Sequence, residues 1–259
     1  MKALAKPLAL AMVLMAAALV WGLQLAGPGA TPARAAAPLV ADLSQHLVAI
    51  TTGFTGTEVL LFGAIEGGGD VVVVVRGPNR RETVRRKTRL AGIWVNGAEM
   101  SFEGVPAFYW VGASRDLDAI IAGPVRLRHG IGADQLRFKT VGEKPVDLAQ
   151  FRKALVRNKR RLGLYGREVG KVSFLGLRLF RTRVYFPANV PTGTYKVEVY
   201  LFRDGAVASA QTTPLIISKI GLGAEVYDFA HREAAIYGII AIIIALSAGL
   251  LVGVLFRKI

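Results

Sequence analysis

The alternation of apolar and polar residues divides the chain into three stretches. Leu8 to Ala26 is almost wholly apolar, and so is Ala234 to Phe256. Between them lies a mixed region with mostly strand-like periodicity. Glu58–Ile65 and Val71–Val75 are rich in Val, Leu and Ile, and the Gly67-Gly68-Gly69-Asp70 turn separates them. Five successive valines predict a strand buried on both faces, because β-branched side chains suit extended backbone. A hairpin is predicted next, with Ile93-Trp94-Val95 and Ala98–Phe102 joined by Asn96-Gly97. Asn-Gly favours two-residue turns because both positions tolerate positive φ. Ala107–Val111 reads as an aromatic strand, and Ser114 as a helix cap with Asp116 and Asp118 in the first turn.

One long helix is predicted in the middle, capped by Asp147. Leu148, Phe151, Leu155 and Leu162 form its apolar stripe, and Arg152, Lys153, Arg157, Lys159, Arg160 and Arg161 cover much of the rest. Strands return over Leu177–Phe186 and from Tyr195, where Tyr195, Val197, Val199 and Leu201 keep period two. Asp204-Gly205 turns the chain into Ala206–Ile217. Short strands with frequent turns predict a mainly β protein: two immunoglobulin-like β-sandwiches, over 38–142 and 164–222, linked by the basic amphipathic helix at 143–163.

The two apolar ends set the topology. Lys2 and Lys6 precede the first, Gly27-Pro28-Gly29 breaks it, and Ala33-Arg34-Ala35 offers small residues for cleavage. Residues 1–37 therefore read as an export signal, or as an N-terminal anchor if uncleaved. The 23 uncharged residues of 234–256 form a helix about 34 Å long at 1.5 Å per residue. That crosses a bilayer core of about 30 Å. Residues 223–233 are juxtamembrane, and Arg257 and Lys258 in the 257–259 tail hold that end inside. The expected location is a bacterial inner membrane with the middle domain in the periplasm. Ala241, Ala245, Gly249 and Gly253 recur every four residues along one ridge of this helix. Such a ridge lets a second helix approach, from another membrane protein or another copy of this chain.

The charge is +15 over 259 residues, with no cysteine. Without cysteine there are no disulfides, thiolate nucleophiles or thiolate metal sites. In an exported domain this charge points away from nucleic acid and toward anionic lipid, acidic polymer or small anions. The segment Arg76–Arg89 holds seven cations against Glu82 alone. Arg80, Arg81, Arg85 and Arg86, with Arg152, Lys153, Arg157 and Arg160, are the candidate anion-facing patch. The plainer alternative is a solvated edge whose charge blocks strand-to-strand aggregation.

Catalytic and metal signals are weak. His46, His129 and His231 have no ligand spacing, and neither a nucleophile elbow nor a phosphate loop occurs. Glu99 with Glu103, or Asp116 with Asp118, are the only acid pairs of note. We expect no catalytic residues, metal or cofactor; an envelope hydrolase is the remaining alternative.

Several blocks are similar to a known family: Gly92-Ile-Trp-Val-Asn-Gly97, Val105-Pro-Ala-Phe-Tyr109, Ala113-Ser-Arg-Asp-Leu117, Leu179-Phe-Arg181, Tyr185-Phe-Pro-Ala-Asn-Val-Pro191, Gly193-Thr-Tyr195 and Tyr200-Leu-Phe-Arg-Asp-Gly205. Together they resemble the alphaproteobacterial transmembrane proteins without an assigned activity, over most of 39–258. The resemblance implies a signal, a β-rich ectodomain and one C-terminal span, with no catalytic residues to transfer. It also implies an accessory, partner-binding role beside a membrane permease of the sulfite/sulfonate exporter type.

Overall fold

The computed structural model describes residues 38–142 and 147–256. The expected export signal at 1–37 and the tail at 257–259 lie outside the described residues.

Strand-forming sequence dominates, and most of the predicted strands form. β1 (Leu39–Leu43), β3 (Gly56–Ile65), β10 (Ser173–Leu175) and β11 (Leu179–Pro187) make a four-stranded sheet in the order β1-β3-β11-β10. A six-stranded sheet runs β2-β13-β12-β4-β7-β9. Its strands are β2 (Leu47–Ile50), β4 (Asp70–Arg76), β7 (Tyr109–Ala113), β9 (Gly170–Lys171), β12 (Gly193–Arg203) and β13 (Ala206–Lys219). β2 lies parallel to β13 and β9 parallel to β7. A third sheet, β5-β6-β8, contains β5 (Asn79–Leu90), β6 (Ile93–Pro106) and β8 (Lys139–Val141).

Two separate sandwiches do not form. Strands from 39–76 and from 173–219 both contribute to each of the larger sheets and share one buried core. β3 and β4 are not hairpin partners: the Gly67–Gly69 turn carries the chain from one sheet to the other. The physical reason is edge pairing. β3 finds its ladder with β1 and β11, and β4 with β12 and β7. The basic helix consequently links no pair of domains.

β4 explains its own sequence. Val71 to Val75 are all fully buried, since both faces of the strand are covered. On one face Tyr195 of β12, Phe186 of β11 and Phe108 stack, with ring centroids 5.0–5.9 Å apart. Gln211 joins the two sheets at their rims, accepting from the Ala41 N–H at 2.8 Å and donating to the Ala41 carbonyl at 2.7 Å. On the other face lie α1 (Leu117–Ile120), α2 (Gly123–His129) and a short 3-10 turn at Ala133–Gln135. There Arg76 pairs with Glu198 and donates to the His129 carbonyl at 2.6 Å. Tyr109 donates to the Gly130 carbonyl at 2.7 Å and accepts from the Gly132 N–H at 2.8 Å. Asp116, rather than Ser114, caps α1. Ser114 Oγ instead donates to Asp70 Oδ1 at 3.0 Å and accepts from the Val71 N–H.

The β5–β6 hairpin turns five residues earlier than expected. β6 runs unbroken through Asn96-Gly97, and the turn is Ala91-Gly92, with φ of 48° and 87°. Both positive values belong to the two-residue turn that matches strand twist. Asn96-Gly97 lies where the register shifts: Arg85 faces Glu99 but Lys87 faces Asn96, so β6 carries one extra residue. A second extra residue is accommodated at Gly104, whose φ is 71°.

α3 (Leu148–Arg161) starts at Asp147 as predicted, but that side chain makes no capping bond and pairs with Arg86 at 2.9 Å. Phe151, Leu155 and Val156 are buried, whereas Leu162 falls just past the helix and is 55% exposed. α4 (Leu222–Arg232) leads to α5 (Ala234–Phe256), whose bounds are those expected of the membrane span.

Candidate functional site

The basic segment and the basic helix, 60 to 80 residues apart in the chain, form the two walls of one open groove. β5 contributes Arg85, Arg86 and Lys87 over a floor of Val84, and α3 contributes Lys153, Arg157 and Arg161 beside Phe151. Gln150, Ala154 and Asn158 complete the lining, and the volume is about 710 Å³. Lys153, Arg157 and Arg161 are spaced by four, which places them on one helix face. Successive steps rise about 6 Å, so the row is about 12 Å long.

Why the walls meet follows from the same two segments. Phe151, Leu155 and Val156 enter the core cluster that holds Val84, Met100 and Phe102. Phe102 in turn meets Phe138 edge-on at 6.0 Å. Lys159 lies on the buried side of α3 and donates to Glu82 Oε1 of β5 at 2.5 Å. The guanidinium of Arg86 lies over the Phe151 ring at 5.2 Å, a cation–π contact across the groove.

Charge is only partly compensated. Arg85 donates to Glu99 at 2.7 Å and Arg86 to Asp147 at 2.9 Å. Among the described residues no ion pair involves Lys87, Lys153, Arg157 or Arg161. All four are exposed.

Half of the expected patch therefore gathers here: Arg85, Arg86, Lys153 and Arg157. The other half points elsewhere. Arg80 is exposed near the hairpin base, Arg81 pairs with Glu103, Arg152 donates to the Phe138 carbonyl at 3.3 Å, and Arg160 pairs with Asp134 at 3.2 Å. Lys87 and Arg161 belong to the groove in their place. The spacing by four from Lys153 carries the signal for Arg161; helix phase also puts Arg152 and Arg160 off that face.

The acid pairs are occupied structurally. Glu99 and Glu103 are each held by an arginine of β5, Asp118 pairs with Arg126, and Asp116 caps α1. His46 is 3.2 Å from Asp42, His129 meets the Tyr200 ring at 5.5 Å, and His231 Nδ1 contacts the Tyr227 carbonyl. No three metal-ligating side chains converge among the described residues.

The second candidate surface is on α5. It is apolar, long enough to cross a membrane and not buried against the rest of the chain. Ala241, Ala245, Gly249 and Gly253 lie along it at helical spacing, and added Cβ atoms at Gly249 and Gly253 would meet nothing within 4 Å.

A family model described as "Putative transmembrane protein (Alph_Pro_TM)" matches residues 38–258. The chain belongs to this family. The match takes in every described strand and the apolar helix, so the family is a membrane-protein family with a β-rich domain. The curated proteins contain no match to the chain.

Proposed function

We propose that this family member is a membrane-anchored binding module that faces outward and takes an anion of several charges in the groove between β5 and α3. The observation that carries the reading is the convergence of six cations from two distant segments on one groove, four of them outside the ion pairs described. A row about 12 Å long suits an extended or oligomeric anion better than a single small one. The module is non-enzymatic in this reading, because its carboxylates serve as ion-pair partners and a cap. Its domain is exported, with Arg257 and Lys258 on the inner side of a bacterial cytoplasmic membrane.

We further infer an immunoglobulin-like topology. The order β1-β3-β11-β10 corresponds to the A-B-E-D sheet of such domains, and β13-β12-β4-β7 to G-F-C-C′. The hairpin is then an insertion between the C and C′ strands and the helices an insertion between C′ and D, and the groove lies where the two insertions meet.

The test uses the full chain in nanodiscs of zwitterionic phosphatidylcholine, with a fluorescent dextran sulfate oligomer as probe. Binding weakens with added salt, as screening requires. Replacing Lys153, Arg157 and Arg161 together with Gln weakens it at least about tenfold. Equal binding by this variant would sink the reading.

A second reading rests on the unobstructed small-residue ridge of α5. In it the span docks on a membrane partner, a permease or a second copy, through Ala241, Ala245, Gly249 and Gly253. Purification in mild detergent recovers that partner with the wild-type chain and not with Gly249→Leu/Gly253→Leu. Identical recovery from both would remove it.

A further inference from the structure

The tip of the β5–β6 hairpin exposes its largest apolar side chains. Leu90, Ile93 and Trp94 are 67%, 65% and 67% exposed, and they bracket the Ala91-Gly92 turn. Leu90 pairs with Ile93, and Arg89 with Trp94. The third strand of this sheet, β8, reaches only Ser101 to Glu103, so the outer part of the hairpin is a two-stranded ribbon. Two-stranded ribbons gain little stability by themselves, and an apolar tip in water adds nothing to this one.

The ribbon next to the tip is positive: among the described residues Lys87 and Arg89 enter no ion pair, while farther back Arg85 and Arg86 pair with Glu99 and Asp147. Arg85, Arg86, Lys87 and Arg89 precede it, and no carboxylate occurs from Arg85 through Ala98. Apolar tip, aromatic ring and basic collar is the composition that settles at a bilayer interface with anionic headgroups.

Topology brings the tip to the side where the membrane span leaves. The β4–β7 ladder continues past Arg76 through Gly77 N–H to the Phe108 carbonyl and Ala107 N–H to the Pro78 carbonyl, then into the β5–β6 pairs. The hairpin is thus an extension of β4 and β7 beyond the end of the larger sheet. β13 leaves that same end: Gly193 pairs with Ile217, and an added Cβ on Gly193 would lie 2.9 Å from Pro78 at the hairpin root. Two residues after β13 the chain enters α4, and α5 follows.

We propose that the hairpin tip is a second membrane contact, inserting Leu90, Ile93 and Trp94 into the leaflet on the domain's own side while the basic collar binds anionic headgroups. The chain would then hold the bilayer at two points, the α5 span and the tip, and the domain would be fixed in orientation rather than tethered. The collar shares Arg85, Arg86 and Lys87 with the groove wall, but the inference does not depend on the groove ligand. Its apolar residues line no part of the groove.

The experiment places the full chain in nanodiscs of phosphatidylcholine with or without phosphatidylglycerol, in which the acyl chains carry bromine as a quencher. The chain has Trp21, Trp94 and Trp110, so the Trp94 contribution is the difference from a Trp94→Phe variant. Bromine quenches the Trp94 component, more strongly with phosphatidylglycerol present. Leu90→Ser/Ile93→Ser keeps the fluorophore and lowers its quenching at least about tenfold. Far-UV circular dichroism of each variant checks that the sheets persist. A Trp94 component untouched by bromine in both lipid compositions overturns the proposal, and so does full quenching in Leu90→Ser/Ile93→Ser. In the first case the tip is open to a protein partner instead. Dextran sulfate binding left unchanged by replacing Lys153, Arg157 and Arg161 with Gln, with Trp94 quenching intact, would refute the groove reading alone.

Discussion

Lys159 Nζ lies 2.5 Å from Glu82 Oε1, with the lysine side chain 7% exposed and the glutamate 30%. This pair ties the cationic helix to the cationic hairpin and opposes the repulsion between them. It couples groove geometry to domain stability, alongside the Arg86 contacts with Phe151 and Asp147.

Replacing Lys159 with Ala should therefore cost about 1–3 kcal/mol, the usual penalty for stripping a partner from a half-buried charge. Thermal unfolding of the full chain in mild detergent checks the loss. Glu82→Gln retains a hydrogen-bond acceptor for Lys159 and should cost less. If the pair also sets the distance between the walls, Lys159→Ala weakens dextran sulfate binding although Lys159 does not line the groove.

Tyr109 holds the turn after α2 to the larger sheet through Gly130 and Gly132. Burial pushes its hydroxyl up to about 12, against an ordinary value of 10.0, with the Gly132 N–H pulling the other way. The neutral phenol is thus the form the fold prefers. Its contribution is fully present below pH 10 and disappears as pH rises toward 12. Alkaline unfolding should begin in that window. Tyr109→Phe leaves the Gly130 carbonyl and Gly132 N–H without this partner, so it should lose about 1–3 kcal/mol at neutral pH. Its alkaline slope should be shallower, although Tyr165, Tyr195 and Tyr200 are also shifted upward by burial and keep part of it.

Asp70 gives the opposite sign. The hydrogen bond from Arg115 is the largest influence on its carboxyl and holds it below the ordinary 3.8. The carboxylate form is favoured in the fold. Its contribution is present above pH 3.8 and is lost as pH falls below it. Asp70→Asn should remove this part of the acid sensitivity, seen as a flatter unfolding midpoint below pH 4.

Trp110 requires two glycines. A Cβ on Gly170 would lie 2.1 Å from its Cζ2, and one on Gly112 would lie 2.4 Å from its Cη2. Gly170 and Gly112 are paired across β7 and β9, so the indole covers the join between them. Gly170→Ala should cost about 1–3 kcal/mol by overpacking and should expose Trp110 to solvent. Denaturant melts and acrylamide quenching of Trp110 fluorescence check both effects.

Local pattern was sufficient wherever one strand or helix could be read alone. The five valines of β4, the period-two run of β12 and the uncharged run of α5 carry their structure in residue type and spacing. The α5 bounds followed from hydropathy because a membrane span satisfies its backbone internally and needs no partner strand. The groove was half legible, since two basic clusters were visible without their phase.

Pairing across long sequence distances was decided by the tertiary structure. Whether β3 meets β4 or β11 depends on which ladder buries more apolar surface, and no local signal reports that. The hairpin turn shows the same limit on a smaller scale. Asn96-Gly97 has the stronger turn chemistry, but Ala91-Gly92 lets Val84 face Met100 in the core and leaves the extra β6 residue as a bulge. Helix phase then divided the basic residues, sending Arg152 and Arg160 toward the 134–138 segment and Lys153, Arg157 and Arg161 into the groove. The sequence thus determined the elements, the charge and the membrane span, because these depend on neighbours within a few residues. The tertiary structure decided which strands share a sheet and which cations share a groove, because those depend on burial summed over the whole domain.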